Sequence, residues 1–114
     1  MYNDLLTQIE EATGLKVKLF YTKEIEPCIV YDVSPISNNG VVAQDNLQLR
    51  IIHNSARECI EAEEKINALL LSKGDRLKED FASIRINGGG FMPQDETNTV
   101  HKYNFYIVKR KAGI

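Results

Sequence analysis

Hydrophobic and polar positions alternate along residues 47–53, and the spacing then changes to a helical one. The alternation is the two-residue period of a β-strand, with Leu47, Leu49 and Ile51 set against Gln48, Arg50 and Ile52. Ser55 and Glu58 are spaced as a capping box, in which the Ser hydroxyl bonds a backbone N–H of the first helical turn and the Glu side chain reaches back to the cap residue. Beyond the box, apolar residues recur on one helical face up to a predicted stop at Gly74: Ala56, Cys59, Ala62, Ile66, Leu69 and Leu70. A strand that leads directly into an amphipathic helix predicts that the helix packs on a sheet.

The same periodicities predict one more helix and four more strands. The helix runs from Asn3 to Thr13, and its apolar stripe ends at Ala12. The strands cover residues 16–21, 28–33, 81–87 and 99–111, and the strand described above extends over residues 41–53. Because residues 28–33 are almost entirely apolar, we expect that strand to be central and covered on both faces. The predicted order is α-β-β-β-α-β-β. It indicates an α+β fold with a mostly antiparallel sheet of four to five strands and two helices on one face.

Two segments have the composition of loops. Residues 34–40 contain Pro35, two asparagines and Gly40, and residues 88–90 are three consecutive glycines. Glycine loses the most conformational freedom on ordering, so we predict mobile loops at residues 34–46 and 87–98. The strand that follows the first loop is long, so it should project as a hairpin arm or carry a bulge near Asp45 and Asn46.

Composition narrows the class of protein. The chain has 114 residues, 43% of them hydrophobic and 26% charged, which predicts a single globular domain over residues 1–114. No stretch approaches the roughly 20 apolar residues of a membrane span, and the N-terminus lacks the pattern of a secretory signal. Acidic and basic residues are mixed and the net charge is −2, so charge does not favour a nucleic-acid-binding protein. The basic end at residues 109–111 is too small to change this, and we interpret it as a solvated strand terminus.

No residue pattern predicts catalysis, a metal site or a cofactor. His53, His101, Cys28 and Cys59 lack the short paired spacings of zinc ligands. Cys59 with His53 is conceivable as a nucleophile and base, but Cys59 falls on the apolar stripe of the second helix, which indicates a core residue. The glycines after Asn87 lack the helix that follows a phosphate-binding loop, so a flexible hairpin loop is the preferred interpretation.

Two features point to contacts with other molecules. Glu63 falls close to the apolar stripe of the second helix and needs a partner there. The partner is either a basic residue of a neighbouring subunit or water at the edge of the stripe, and we favour water. Phe91, Met92 and Pro93 place apolar side chains beside an exposed loop, which indicates a surface that becomes buried against a partner.

The order of elements resembles a known family. Its features here are a Pro-x-Ile-x-Tyr strand (Pro27, Ile29, Tyr31), a long strand and a helix of the type Ala-x-x-x-Ile-x-x-Leu-Leu followed by a glycine. The closing strand contains His-Lys-Tyr-x-Phe from His101 to Phe105 and is preceded by Asp-Glu-Thr at residues 95–97. This pattern, which covers nearly the whole chain, is similar to the tail-terminator or tail-completion proteins of long-tailed bacteriophages and prophages, sometimes called minor capsid proteins.

The resemblance implies a virion structural protein without catalytic residues or a cofactor. Family members form a ring, usually of six subunits, that caps the tail tube and joins it to head-completion proteins. DNA then passes through as cargo, and the protein resides in the virion or, during assembly, in the host bacterial cytoplasm. On this basis we expect an assembly interface at the two predicted loops, formed by Val42, Asp45, Asn46, Phe91, Met92 and Pro93.

Two other classes of protein stay open at this point. A small ligand-binding or regulatory α+β module would have a pocket between helix and sheet with polar groups converging inside it. A small hydrolase or nuclease subunit would need acidic residues and a histidine around one cleft, and the sequence shows no such cluster.

Overall fold

The architecture follows the predicted order of elements. A computed structural model of the chain describes residues 2–19, 27–71, 81–92 and 99–111. Within these ranges lie two helices, α1 (Tyr2–Thr13) and α2 (Ala56–Leu70). The five strands are β1 (Val17–Leu19), β2 (Cys28–Asn38), β3 (Val42–His53), β4 (Phe81–Met92) and β5 (Val100–Lys111). The α+β prediction is confirmed. The predicted helix stop at Gly74 lies outside the described residues.

The strands form one sheet in the order β1-β2-β3-β5-β4. Only the β1–β2 pair is parallel, and the other three pairs are antiparallel. The chain leaves β3, crosses one face of the sheet as α2, and enters β4 beyond the position of β5. In the described part of the chain, β4 pairs with β5 alone and is therefore an edge strand.

Both helices cover the same face of the sheet. One core cluster joins Leu5 and Ile9 of α1, Cys59, Ile66 and Leu70 of α2, and the inward side chains of the strands. On β3 these are Leu47, Leu49 and Ile51, as their alternation predicts. The predicted cap of α2 is also confirmed, because the Ser55 hydroxyl accepts a hydrogen bond from the Glu58 N–H at 3.2 Å. Ala12 and Ala56 are exposed, so the two apolar stripes are narrower than predicted.

The loop predicted at residues 34–40 is mostly strand. β2 continues to Asn38 and pairs with β3 as far as Ala43, so only residues 39–41 form the turn. A shift of register between Pro35 and Ser37 accommodates the proline, which has no N–H for the ladder. β3 does not project as a hairpin arm, because it pairs with β5 along its whole length as far as Val42. The irregularity lies opposite Asp45, in the partner strand. Mobility of residues 34–46 stays a prediction.

Side chains of the two asparagines close the turn. The Asn39 Oδ1 atom accepts hydrogen bonds from the N–H groups of Val41 and Val42 at 2.9 and 2.8 Å. The Asn38 Oδ1 atom accepts one from the N–H of Gly40, whose φ of 88° lies in the left-handed region.

The glycine segment is also strand rather than loop. β4 runs through the three glycines to Met92, and residues 93–98 lie outside the described part. The register shifts between Ile86 and Gly89, which places a β-bulge at Asn87 and Gly88, where φ is 103°. Glycines have no side chains to alternate, so the sequence pattern could not reveal this part of the strand. Mobility of residues 87–98 stays a prediction.

The strand over residues 28–33 is less central than predicted. Cys28, Ile29 and Val30 are buried, but the next three residues are only partly covered and residues 34–38 are exposed. Its pairing with β1 ends at Tyr31 in the described residues, so the outer half of β2 has a neighbour on one side only. The predicted strand 16–21 is seen as Val17–Leu19, and its last two residues lie outside the described part.

Candidate functional site

A cleft lies between α2 and the edge of the sheet. Its volume is about 350 Å³. The floor is formed by β5, one wall by α2 and the other wall by the glycine segment of β4 with the apolar side chains at its two ends. The lining residues are Glu63, Asn67, Ile86, Gly88, Gly89, Gly90, Phe91, Lys102, Asn104 and Tyr106.

A continuous chain of hydrogen bonds crosses the floor of the cleft. The Lys102 ammonium donates to Asn104 Oδ1 at 2.8 Å, and Asn104 Nδ2 donates to the Tyr106 hydroxyl at 3.2 Å. The Tyr106 hydroxyl donates to Asn67 Oδ1 on α2 at 2.6 Å. These polar groups are therefore paired with one another, as buried polar groups must be to avoid the cost of desolvation.

Glu63 begins this chain, and its partner belongs to the same subunit. Its carboxylate forms a salt bridge with Lys102, and the two side chains are only 22% and 12% exposed. The prediction that water or a basic residue of a neighbouring subunit is the partner of Glu63 is therefore wrong. Lys102 also lies 5.5 Å from the centre of the Phe91 ring, close enough for a cation–π contact. The ion pair thus connects α2 to the apolar rim of the cleft.

The phenol of Tyr106 is neutral at physiological pH. Its pKa is raised to about 12, and burial is the largest cause of this shift. The hydrogen bond from Asn104 lowers the pKa, whereas the charge of Glu63 raises it. Tyr106 is fully buried. It therefore serves as a fixed donor between sheet and helix rather than as a proton-transfer group.

The cleft could have been detected in the sequence. Residues on the helix-facing side of β5 alternate as Val100, Lys102, Asn104, Tyr106 and Val108. Three consecutive inward positions in the middle of a central strand carry polar groups, and such groups need partners from the helix above. The polar character of this one face is therefore the signal in the sequence that indicates the cleft.

Gly89 holds the wall of the cleft close to its floor. A Cβ atom at this position would lie 2.4 Å from the carbonyl oxygen of Tyr103 and 3.2 Å from Asn104 Oδ1. At Gly90 a Cβ atom would meet nothing within 4 Å. One glycine is thus required by a close backbone approach, whereas the next faces open space.

Exposed apolar side chains are concentrated at two places. The first is the hairpin tip, which we define as residues 34–42, where Ile36 is 52%, Val41 74% and Val42 38% exposed. The second is the β4 edge, defined as residues 86–92, where Ile86 is 52%, Phe91 47% and Met92 44% exposed. Exposed apolar side chains grouped in this way are typical of surfaces that bind a partner.

The structure separates the residues predicted for the assembly interface. Val42, Phe91 and Met92 are exposed, whereas Asp45 is 3% exposed and Asn46 is half-buried. Pro93 lies outside the described residues. Val42 pairs with Lys111 and Phe91 with Lys102, nine residues apart along β5. At about 3.3 Å per residue the two groups are about 30 Å apart, at opposite ends of the sheet.

The cysteine and histidine candidates do not form a site. Cys59 is buried, and its Sγ lies 3.4 Å from the Val100 carbonyl oxygen. Burial is the largest cause that raises the pKa of this thiol, so the core interpretation is confirmed. His53 contacts the Glu58 carboxylate at 3.0 Å, and His101 contacts the Thr99 hydroxyl at 3.1 Å. Among the described residues, no three His, Cys, Asp or Glu side chains are placed to hold a metal ion.

Two further observations concern the predictions about membranes and charge. No helix in the described ranges is both long and apolar enough to cross a membrane. The basic end at residues 109–111 is the last part of β5, paired with residues 42–44 at the base of the hairpin tip.

Comparison with known proteins gives a likeness of fold. No protein-family model matches the chain, and no curated protein matches it by sequence. Its fold is similar to that of a chain in a solved structure titled "Virion of native gene transfer agent (GTA) particle". The TM-score is 0.63 at 9% sequence identity, over 91% of this chain and 84% of that chain. The protein therefore shares the fold of a component of a virion particle.

Proposed function

We propose that this protein is a structural component of a phage-like particle and acts by assembly rather than by catalysis. The observation that carries the proposal is the match of fold to a chain of a gene transfer agent virion, over nearly the full length of both chains. The features at residues 27–31, 56–74 and 95–105 that resemble tail terminators support the same class independently.

Within that class, we propose a ring-forming tail terminator or head–tail joining protein. Its partners would be copies of itself, six in a closed ring, together with tail-tube and head-completion proteins. A ring requires heterologous contacts, in which two different surfaces of the chain meet. The hairpin tip and the β4 edge are two such surfaces, and they lie at opposite ends of the sheet.

The charge of the chain suits a conduit for DNA. The net charge is −2 over 114 residues, with both signs mixed along the sequence. Binding to phosphate backbones depends on neutralisation by clustered lysine and arginine. A channel built from this chain would let DNA pass as cargo without retaining it, either in the virion or during assembly in the bacterial cytoplasm.

A small ligand-binding module is the second candidate, and the cleft is the observation that favours it. The cleft lies between helix and sheet and has polar groups on its floor, as such a module requires. However, Lys102, Asn104 and Tyr106 already bond to one another and to α2. A ligand would have to replace these bonds, so the assembly proposal is preferred.

Native mass spectrometry of the purified chain, with negative-stain images of the same sample, distinguishes the two candidates. The assembly proposal predicts a closed ring of six copies with a central opening. A chain that stays monomeric at every concentration and retains a bound small molecule would support the ligand-binding module and contradict assembly.

A further inference from the structure

We infer that the hairpin tip of one copy docks into the cleft of the next copy, against Ile86 and Phe91 of the β4 edge. This inference rests on the proposed function and names the two surfaces that make the repeating contact. The occupant is residues 34–42 of a second copy of this chain.

Distance excludes the same contact within one chain. The hairpin tip and the Phe91 end of β4 are about 30 Å apart along β5, and the sheet between them is rigidly paired throughout. The molecule measures 44 × 24 × 21 Å, so its longest dimension is large enough to hold the two surfaces that far apart. Only another copy can bring a tip to a cleft, and because the two surfaces differ, each copy can give one contact and receive another.

The two surfaces match in charge. From residue 33 to residue 44 the chain carries no charged side chain, so the whole tip is neutral. The β4 edge is also uncharged from Ile86 to Met92, and the charges inside the cleft are a salt bridge between Glu63 and Lys102. The tip itself therefore brings no charge into the cleft, and the basic end of β5 lies at its base, paired with residues 42–44.

The shape of the β4 edge provides an opening for the tip. Ile86 and Phe91 are about half exposed and stand at the two ends of a segment that contains three glycines. The wall between them carries no side chain at residues 88–90. β4 is an edge strand whose outer backbone groups have no strand partner in the described part of the chain. Those groups can bond an arriving extended segment such as the end of β2.

Cross-linking of two single-cysteine additions tests the contact. Val41→Cys places a thiol on the tip, and Ile86→Cys places one at the cleft, because Ile86 pairs with Tyr106 and shares its helix-facing side. Val41 is 74% and Ile86 52% exposed, so both variants should fold. Cys28 and Cys59 are buried and do not compete. A disulfide requires Cα atoms within about 7 Å, so it reports direct contact.

The inference predicts a disulfide-linked dimer when the two variants are mixed and oxidised, but not when either is oxidised alone. Thiols held in contact reach millimolar effective concentration, so the yield should exceed by at least ~10-fold that of a control mixture of Val41→Cys with Ala12→Cys. Ala12 is exposed on α1, which packs near the other edge of the sheet. A chain with both Val41→Cys and Ile86→Cys should give a ladder of linked multimers.

Two results would overturn the inference. One is a mixture that cross-links no better than the Ala12→Cys control, and the other is a Val41→Cys sample that links to itself, which indicates tip-to-tip contact. Light scattering on the unoxidised samples separates this failure from that of the proposed function. Rings without the cross-link leave the assembly proposal standing, whereas monomers without the cross-link remove both.

Discussion

At the scale of single residues, Tyr106 has the central position in the polar chain of the cleft. It is fully buried, donates to Asn67 on α2 and accepts from Asn104 on its own strand. A hydrogen bond of this kind contributes about 1 kcal/mol, but loss of one partner leaves buried polar atoms unpaired and costs about 1–3 kcal/mol. Its neighbours Glu63 and Lys102 form a salt bridge that also joins helix to sheet. The floor of the cleft thus stabilises the packing of α2.

The raised pKa of Tyr106 makes stability depend on pH in alkaline solution. Its pKa is about 12 in the folded chain, against an ordinary value of 10.0. Between these values the unfolded chain loses the phenol proton and the folded chain keeps it, so stability falls as pH rises, by up to about 1.4 kcal/mol per pH unit. We expect urea unfolding to show this decrease between pH 10 and 12, and to show a smaller one in Tyr106→Phe. Equal slopes in the two proteins would contradict the assignment.

At the scale of elements, the sequence predicted periodic segments well and glycine-rich or proline-containing ones poorly. Both helices and the inward face of β3 follow from apolar spacing, and Ser55 marks the start of α2. The extensions of β2 past Pro35 and of β4 past Gly88 do not follow, because the side chains there are turn formers by composition. Pairing with a long neighbouring strand decides their conformation, and a bulge in each strand absorbs the irregular residue.

The candidate site shows the same limits. The exposed Phe91 and Met92 were predicted from their position beside the glycines, and they lie at the β4 edge as apolar surface. The polar inward positions of β5 are a sign of the cleft in the sequence. The pairing of Glu63 with Lys102 is not, because these residues are 39 positions apart and their approach depends on the crossover of α2.

The bulge in β4 gives a prediction with a matched control. Gly89→Ala would place a methyl group 2.4 Å from the backbone oxygen of Tyr103, so we expect a loss of about 1–3 kcal/mol in the free energy of unfolding. Gly90→Ala enters open space and should be neutral or stabilising by up to about 1 kcal/mol, because alanine restricts the unfolded chain. Urea unfolding of both variants measures the difference. Equal stabilities would show that β4 does not approach β5 as closely as described.

At the scale of the whole molecule, the fold places two apolar surfaces at opposite ends of one sheet. The hairpin tip lies at the end where β3 begins, and the β4 edge is exposed at the end where β5 begins. Nothing in the described ranges covers these two surfaces, and exposed hydrophobic area favours association. Contacts between unlike surfaces close into a ring when the rotation between copies permits it. These properties agree with the proposed role in a phage-like particle.

Assembly through the β4 edge is best tested by the mass of the protein in solution. Light scattering measures this mass for three forms at equal concentration. These are the natural sequence, Phe91→Asp/Met92→Asp at the β4 edge, and Thr7→Asp/Ala12→Asp, which adds the same charge at exposed positions of α1. If the chain works by assembly through the β4 edge, the natural sequence and the α1 variant will have the mass of a ring. The β4-edge variant will then have the mass of a monomer, with an unchanged circular dichroism spectrum. Equal masses for all three forms would contradict assembly through the β4 edge.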